Sequence, residues 1–391
     1  MALFYGDLHI HIGSTNSGAP VKITASRTLT LERITQTAKG QKGLDLVGIV
    51  DAACSGVLQD LESLHELGQL KPIVGGGALL NGVTLFLGSE VELVHQDTGK
   101  EAHFLAYFAD LASIQGYAAA LKPHVTNPSL STQRLRVSPV NWLKLVKEFE
   151  GVAIAAHAFT PHKGVYGSCV KRLEEMLSEP SQVSALELGL SANTEMALAV
   201  SDTHPYAYLA NSDAHSLQNI GREFTVYNLP ELNFGAWRSA LEDGGRGIWA
   251  THGLEPRLGK YYRSWCPRCE RLADHETPTF ECPYCKDPMV PGVWDRLQSI
   301  SDHPQVTPAK PPYTAHVPLR LLPGIGPKMY AKLIGEVGTE IDVLYRLPLD
   351  EIAAKVGSVI ADQIAAVRAG SLSFLPGGGG KYGRVTKGLK R

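Results

Sequence analysis

Short apolar runs recur through the first 250 residues, and polar residues with metal-binding side chains stand beside them. Such runs, bounded by turn residues, are typical of buried strands. The runs cover residues 2–5, 46–50, 83–87, 151–156, 184–186 and 206–210. The polar side chains beside such runs are those of His9, His11, Asp51, Glu90, His103, His157, Glu187, Asp213 and His215. Because functional groups gather at the strand ends of an α/β barrel, the pattern predicts a barrel with a metal site at one rim.

Between these runs the apolar positions change to a helical period. Leu31, Ile34 and Ala38 share one face of a predicted helix, and Ser138 followed by Pro139 predicts the N-terminus of another. Residues 122–136 are polar and long for a connection. They are either a mobile flap over the site or a surface excursion without a role.

The composition changes near residue 250, and so does the charge. Residues 1–250 hold 18 Lys and Arg against 25 Asp and Glu, whereas residues 251–391 hold 19 against 14. This excess of positive charge indicates a polyanionic partner for the rear part, although a lysine-rich tail without a partner gives the same balance. The predicted domains are a barrel at 1–250, a zinc-binding module with its linker at 251–312, a small helical domain at 313–375 and a disordered basic tail at 376–391.

Four of the six cysteines form two close pairs with the spacing C-x2-C-x12-C-x2-C. They are Cys266, Cys269, Cys282 and Cys285. Two such pairs can close a tetrahedral zinc site, and since protein fills all four positions we expect a structural Zn²⁺. Redox chemistry and chance spacing are the alternatives.

Residues 321–331 carry the pattern of a helix-hairpin-helix. Gly324 and Gly326 allow a tight turn whose backbone N–H groups can face a phosphate, and Lys328 adds positive charge. Such hairpins hold the nucleic-acid backbone without reading its sequence. A plain helical turn is the alternative.

The polar set in the barrel mixes imidazole with carboxylate, which suits divalent metals such as zinc or manganese. Glu90 is the natural bridge between two ions, since a carboxylate offers two oxygens. Paired metal ions stabilise both oxygens of an in-line displacement at phosphorus. The sequence therefore predicts hydrolysis of a phosphate ester.

At these residues the chain resembles the PHP (polymerase and histidinol phosphatase) family, whose H-x-H, Glu, His, His and D-x-H motifs match in order across residues 7–215. The resemblance implies a distorted (β/α)7 barrel that holds two or three divalent ions (Zn²⁺, Mg²⁺ or Mn²⁺). It implies one ion at His9, His11, Glu90 and Asp213, which would form the catalytic centre, a second ion at Glu90, His103 and His157, and a third near His215. The family shows Thr-Asp-His where this chain has Val50-Asp51-Ala52. A third ion would therefore depend on Asp51 and His215.

A closer resemblance covers nearly the whole chain. A PHP barrel, the sequence Glu-Pro-Arg-Leu-Gly-Lys-Tyr at 255–261, a four-cysteine module and a Gly-Ile-Gly hairpin are similar to the endonuclease Q family. That resemblance implies cleavage of DNA 5′ of deaminated bases (uracil, hypoxanthine, xanthine) and abasic sites, with 3′-hydroxyl and 5′-phosphate ends and a flipped-out lesion. The expected DNA contacts are His162, Lys163, Tyr166, Arg257, Lys260, Gly324, Gly326 and Lys328.

Two other functions stay open at this point: a small-molecule phosphoesterase of the histidinol-phosphatase kind, and a DNA-binding protein with a decayed barrel. The first explains the barrel but not residues 251–391, and the second rests on Ala52 alone. No apolar run is long enough to span a membrane, so we expect a cytoplasmic, nucleoid-associated protein. Lesion-bearing DNA and replication or repair proteins are the expected partners.

Overall fold

The computed structural model describes residues 2–386. The strands are β1 Ala2–Ile10, β2 Leu46–Ile49, β3 Lys71–Pro72, β4 Ala78–Leu80, β5 Val83–Val94, β6 Glu101–Phe108, β7 Val152–Ala155, β8 Val183–Glu187, β9 Ala207–Leu209, β10 Phe224–Leu229, β11 Ile248–Leu254, β12 Trp265–Cys266, β13 Arg271–Leu272, β14 Tyr313–His316, β15 Ser373–Leu375 and β16 Arg384–Thr386. The α-helices are α1 Leu31–Thr37, α2 Ser55–Glu66, α3 Leu111–Leu121, α4 Pro139–Glu148, α5 Thr194–Leu198, α6 Phe234–Leu241, α7 Val293–Ile300, α8 Pro327–Glu336, α9 Leu349–Val356 and α10 Ser358–Arg368.

One large sheet organises the molecule. Its path is β14-β11-β10-β1-β2-β5-β6-β7-β8-β9, with β4 attached to β5 and β3 to β4. The segment after β9 returns to β1, where Ala214 forms a parallel bridge with Ile10. His11 donates its backbone N–H to the Ala214 carbonyl at 3.1 Å, and the Ala214 N–H is donated to the His9 carbonyl at 3.0 Å. The sheet is therefore curled almost into a barrel, which confirms the predicted α/β class.

The strand directions differ from a simple alternation of parallel strands and helices. β1, β2 and β5 are parallel, but β6 is antiparallel to both β5 and β7. β5 continues past Glu90, because Val91 and Leu93 are buried and extend the apolar alternation. Glu90 consequently lies inside a strand, opposite Leu105, rather than at its end. The hairpin also carries His103 back towards the same rim.

An apolar cluster lies on one face of the curled sheet. It contains side chains from β11 and from every strand that follows along the path as far as β9, together with α6. Trp237 of α6 is fully buried against Phe86 and Tyr107, with ring centroids 5.2 Å and 5.6 Å away. This close packing gives the strands that carry the polar groups a rigid base.

Both helices predicted from the sequence, the one that contains Leu31 and the one that begins at Pro139, are present. Leu31 and Ile34 are buried on α1, and Ala38 is buried in the π-helical turn that follows. Ser138 accepts a hydrogen bond from the Asn141 N–H and Pro139 is the first residue of α4, which confirms the cap.

The rear part is joined to the barrel through the main sheet. β11 runs through residue 250, the predicted domain boundary, and β14 pairs parallel to it after the module at 251–312. A buried ion pair joins Lys42 to Glu340 at 2.5 Å, and Glu340 also accepts the Leu319 N–H at 2.8 Å. The helical domain therefore packs directly against the barrel through Glu340.

The structure corrects part of the prediction that residues 376–391 form a disordered tail. Residues 376–386 are folded: β15 pairs with β16, and the Gly377 N–H is donated to the Arg257 carbonyl at 2.8 Å. The glycines serve close packing here, since a Cβ on Gly378 would lie 2.0 Å from the Leu272 side chain. Residues 387–391 of the predicted tail lie outside the described residues.

Across residues 2–386, none of the helices combines the length and apolar character that a membrane crossing needs.

Candidate metal centre and nucleic-acid cleft

β1 delivers two histidines whose inner nitrogens have no partner. His9 and His11 are fully buried, and the Nε2 atom of each makes no hydrogen bond. The outer nitrogens are held: His9 Nδ1 donates to Glu187 at 2.9 Å, and His11 Nδ1 donates to Asp51 at 3.0 Å. A carboxylate behind each ring fixes the tautomer that leaves Nε2 free to bind a metal. An unpaired buried nitrogen is costly, so two of them aimed at one point indicate a site for a cation.

Glu90 lies between the two groups of histidines. Its Oε1 atom is 3.0 Å from His103 Nδ1 and 3.5 Å from both His157 Nε2 and His9 Nε2. Its Oε2 atom is 3.4 Å from His11 Nε2. The two oxygens face different ring nitrogens, which is the arrangement that a bridging carboxylate requires.

Asp213 and His157 reach the centre from strained backbone. Their φ angles are 46° and 30°, in the left-handed region that side chains other than glycine rarely adopt. Asp213 Oδ1 lies 3.5 Å from His9 Nε2 and 3.4 Å from His11 Nε2. His157 donates its backbone N–H to Glu187 at 2.9 Å, and its Nδ1 is 3.1 Å from the Thr160 hydroxyl. The contacts with Glu187 and Thr160 hold His157, and both side chains reach the metal-binding groups.

The chain therefore has donor sets that fit divalent metal ions. Within the described residues, three groups in the barrel bring their ligand atoms to within 4.8 Å of one another. These groups are His9, His11 and Glu90; Glu90, His103 and His157; and His11, Asp213 and His215. Nitrogen and carboxylate oxygen together suit zinc, manganese or iron.

Electrostatics also favour cations at this point. Burial opposes the ionised form of Glu90, but Lys22 and His103 outweigh it and hold the Glu90 pKa well below its usual range. Burial lowers the pKa of His103, yet Glu90 and Glu92 more than reverse this and raise it to about 9. A metal ion that binds His103 would therefore have to displace a proton from its ring.

Asp51 is placed differently from the sequence prediction. Its carboxylate accepts hydrogen bonds from His11 Nδ1, from the Ile12 N–H at 2.6 Å and from the Ser131 hydroxyl. It belongs to none of the metal-binding groups found among the described residues. Asp51 therefore lies behind His11 and orients its ring, as Glu187 does for His9.

Sequence reasoning missed Lys22 and Thr132. Lys22 Nζ is 3.1 Å from Glu90 Oε2, and the Thr132 hydroxyl is donated to the same oxygen at 2.6 Å. Both residues come from loops, and their contacts with Glu90 span 68 and 42 positions of the chain. No local pattern marks such contacts. The 122–136 segment, which contains Thr132, therefore lies directly over the centre.

A cleft of about 750 Å³ opens above the metal-binding groups. Basic and aromatic side chains line it, including Lys163, Arg222, Lys260, Tyr261 and Tyr382. Lys260 Nζ lies 4.7 Å from the centre of the Tyr382 ring, and the Arg222 guanidinium lies 5.9 Å from it. Cationic and aromatic groups on one wall suit a polyanion that carries stacking bases.

The expected DNA contacts outside the glycine hairpin divide into two sets. His162, Lys163 and Lys260 line the cleft. Arg257 is exposed, with its guanidinium 4.8 Å from the Phe374 ring centre. The prediction that Tyr166 contacts DNA is wrong. Tyr166 is fully buried, and its hydroxyl donates to Asp202 at 2.8 Å. The loop that carries it folds into a buried π-helical turn at Val165–Cys169, so the ring packs in the core.

The four paired cysteines converge as their spacing predicts. Sγ of Cys266 is 3.6 Å from Sγ of Cys285, and Sγ of Cys269 is 3.8 Å from Sγ of Cys282. Zinc–sulfur bonds of about 2.3 Å in a tetrahedron place the sulfur atoms about 3.8 Å apart. The group thus fits a structural zinc ion at the β12–β13 hairpin.

The glycine hairpin lies open to solvent. Gly324 has a φ of 87°, and Gly324, Gly326 and Lys328 are exposed at the start of α8. The element before this turn is only a 3-10 turn, Leu319–Leu321, rather than a full helix. α9 and α10 meet at Gly357, φ 92°, and so form a second helical pair with a glycine turn.

Comparison with known proteins gives full-length relatives. No family-level sequence model matches the chain. The uncharacterized protein YqxK of Bacillus subtilis is 40% identical over 387 residues, which cover 98% of this chain and 100% of YqxK. The crystal structure of the lesion-specific endonuclease PfuEndoQ from Pyrococcus furiosus superposes with a TM-score of 0.83 at 31% identity, covering 98% of this chain and 95% of that one. The structure of endonuclease Q in complex with a 27-mer duplex substrate, with an abasic lesion at the active site, superposes with a TM-score of 0.84 at 31% identity and covers 100% and 98% of the two chains.

Proposed function

Because this chain belongs to the endonuclease Q family of DNA endonucleases, we propose that it is a metal-dependent DNA repair enzyme that hydrolyses the phosphodiester 5′ of a damaged nucleotide. The products are a 3′-hydroxyl and a 5′-phosphate. The substrates are duplexes that contain uracil, hypoxanthine, xanthine or an abasic site.

One observation carries this proposal: the metal-binding groups form the floor of a cleft whose wall is basic and aromatic. His103, His157 and Asp213 line the same cleft as Arg222 and Lys260. A phosphate held by the wall cations therefore comes within reach of the floor. An uncharged substrate would gain no electrostatic attraction from the cations of this wall.

The side chains of the floor would hold two or three divalent ions. His11 faces Glu90 Oε2, whereas His9, His103 and His157 face Oε1. Asp213 lies against His9 and His11. Bound divalent ions would activate a water molecule and neutralise charge on the phosphate oxygens during displacement. Glu187 and Asp51 orient the histidine rings by accepting from Nδ1.

The walls of the cleft would position the damaged strand. Lys260 and Arg222 lie against the Tyr382 ring, so a phosphate can pair with the cations while a base stacks on exposed aromatic surface. A lesion must leave the base stack before its edge can be inspected, and deaminated or missing bases cost least to extrude. The open hairpin at Gly324 and Gly326 is expected to hold backbone at a distance from the cut.

Cleavage of labelled duplexes tests the proposal. We expect the full-length protein with Mn²⁺ or Mg²⁺ to cut a duplex with a single uracil, hypoxanthine or abasic site on the 5′ side of the lesion. The undamaged duplex of the same sequence should stay intact, and a chelator should stop the reaction. Ligation of the upstream product would verify its 3′-hydroxyl.

Turnover of histidinol phosphate, measured with the same preparation, tests the small-molecule alternative. Rapid release of phosphate from histidinol phosphate together with intact lesion DNA in every metal would overturn the nuclease proposal. Cleavage of lesion DNA without phosphate release would exclude the alternative.

A further inference from the structure

Residues 127–135, which we call the strap, belong to the polar 122–136 segment and lie beside Glu90. The strap forms a parallel bridge with β5 just past Glu90. The Glu92 N–H is donated to the Gln133 carbonyl at 3.1 Å, and the Leu135 N–H is donated to the Glu92 carbonyl at 2.9 Å. Leu135 is also buried. Backbone pairing and an apolar anchor therefore give the strap a fixed place next to the metal-binding groups.

Two neighbouring hydroxyls of the strap each reach a carboxylate. Thr132 donates to Oε2 of Glu90 at 2.6 Å, and Ser131 donates to Oδ1 of Asp51. Each hydroxyl has one proton and an ionised carboxylate can only accept, so both protons are directed at carboxylates. The Lys22 ammonium donates to the Thr132 oxygen and so does not compete for its proton. Thr132 thus makes one directed hydrogen bond to the bridging residue Glu90.

Thr132 has a backbone conformation that its side chain disfavours. Its φ angle is 50°, in the left-handed region, where a β-branched residue is an outlier. Asp213 and His157 share this region, with φ angles of 46° and 30°. Strained residues of this kind cluster at functional sites, where the surrounding structure holds them. Glycine would adopt this φ angle without strain, so a threonine here indicates a use for its side chain.

Glu90 needs a contact from outside its own chain segment to keep one orientation. Rotation about the last bond of a glutamate side chain is broad, so the side chain alone does not fix the plane of the carboxylate. In the structure Oε1 faces three histidine rings, and Oε2 lies 3.4 Å from His11 Nε2. The hydrogen bond from Thr132 to Oε2 favours this orientation over the others.

We propose that Thr132 is a positioning residue of the metal centre, whose hydroxyl fixes the rotation of the Glu90 carboxylate so that both oxygens face ligand rings. The strap supplies this hydroxyl from strained backbone. A metal ion that binds Glu90 then meets oxygens that are already in place, which strengthens binding. The inference rests on the metal centre of the proposed function, but its test measures metal binding without DNA.

Mn²⁺ binding to the full-length protein, with Zn²⁺ in the cysteine site, tests this role. Thr132→Val keeps the shape of the side chain and removes the hydroxyl, and we expect the barrel to bind Mn²⁺ about 10-fold more weakly. Thr132→Ser keeps the hydroxyl and should restore wild-type affinity. Thr126→Val is the matched control, because Thr126 is exposed in the same segment and its hydroxyl accepts from Arg136 at 3.2 Å. The control should bind Mn²⁺ as the wild type does.

Thr132→Gly separates positioning from folding. It removes the hydroxyl but also relieves the backbone, since glycine adopts a φ of 50° freely. We expect Thr132→Gly to unfold at a higher urea concentration than Thr132→Val and still to bind Mn²⁺ weakly. Wild-type Mn²⁺ affinity in folded Thr132→Val or Thr132→Gly would overturn the proposal, and so would weak binding by folded Thr132→Ser. If Thr132→Val does not fold, Thr132→Gly and Thr132→Ser decide the question.

The role of Thr132 and the nuclease activity can fail separately. Wild-type Mn²⁺ affinity in Thr132→Val, made from a parent protein that cuts lesion DNA, refutes the role of Thr132 and leaves the endonuclease standing. Weakened binding in Thr132→Val, from a parent that cuts no lesion DNA, supports the positioning role and refutes the endonuclease.

Discussion

Glu187 offers a sharp test of how the metal centre is supported, because it touches the ligands without being one of them. Its carboxylate accepts three buried hydrogen bonds, from His9 Nδ1 at 2.9 Å, from the His157 N–H at 2.9 Å and from Asn211 Nδ2 at 2.8 Å. We predict that Glu187→Gln weakens Mn²⁺ binding to the barrel while the fold survives.

The contacts set the size of the effect. Two donors converge on Oε2, so the new amide nitrogen must take the place of Oε1 and face Asn211 Nδ2. Asn211 cannot flip without loss, since its Oδ1 accepts the Leu8 N–H at 2.8 Å. The negative charge behind His9 is also removed. Loss of such an outer partner typically lowers metal affinity about 10–100-fold, or about 1.4–2.7 kcal/mol.

The assay is a Mn²⁺ titration followed by electron paramagnetic resonance of the free ion, with zinc in the cysteine site. Glu195→Gln is the matched control. It makes the same chemical change at an exposed position on α5, away from the metal centre. The control should bind as the wild type does. A folded Glu187→Gln protein with wild-type Mn²⁺ affinity would refute the reasoning.

Three further changes follow from the same structure. Asp213→Asn should reduce cleavage at least about 100-fold while gel-shift affinity for lesion DNA stays within about twofold, since the wall cations are untouched; cleavage at the parental rate would contradict this. Cys266→Ser should release zinc and unfold the β12–β13 hairpin, seen as lost zinc content and new protease cuts near it. Burial raises the pKa of Glu223 from 4.5 to about 8. The folded state therefore keeps this proton longer than the unfolded state, and stability falls as pH rises from about 4.5 to 8, by at most about 5 kcal/mol. Glu223→Gln should flatten that slope in urea melts, and an unchanged slope would show that the carboxyl is already ionised.

Much of the metal centre can be predicted from the sequence because residue type and strand position carry it. His9 and His11 stand beside an apolar run and Asp213 and His215 repeat the spacing, so their convergence needs only a curled sheet. Glu90 was harder to place, because the antiparallel β5–β6 hairpin sets its register. Strand direction depends on long-range pairing that a local pattern does not contain.

Other parts could not be predicted because loops that are distant in sequence create them. The glycines and polar residues near Lys22 indicate a loop, but not that its amine reaches Glu90. Tyr166 shows the opposite error, since a polar-looking loop folds into a buried turn. Gly377 and Gly378 indicate flexibility by composition, yet here they permit close packing that brings Tyr382 to the cleft.

Anomalous diffraction from Mn²⁺-loaded crystals of the full-length protein tests the central claim most directly. The account predicts at least two strong peaks in the barrel, each about 2.0–2.3 Å from ligand atoms, one bound by the β1 histidines, another by His103 and His157, and both by the Glu90 carboxylate. The absence of anomalous density between these side chains, in crystals of protein that cuts lesion DNA, would contradict it.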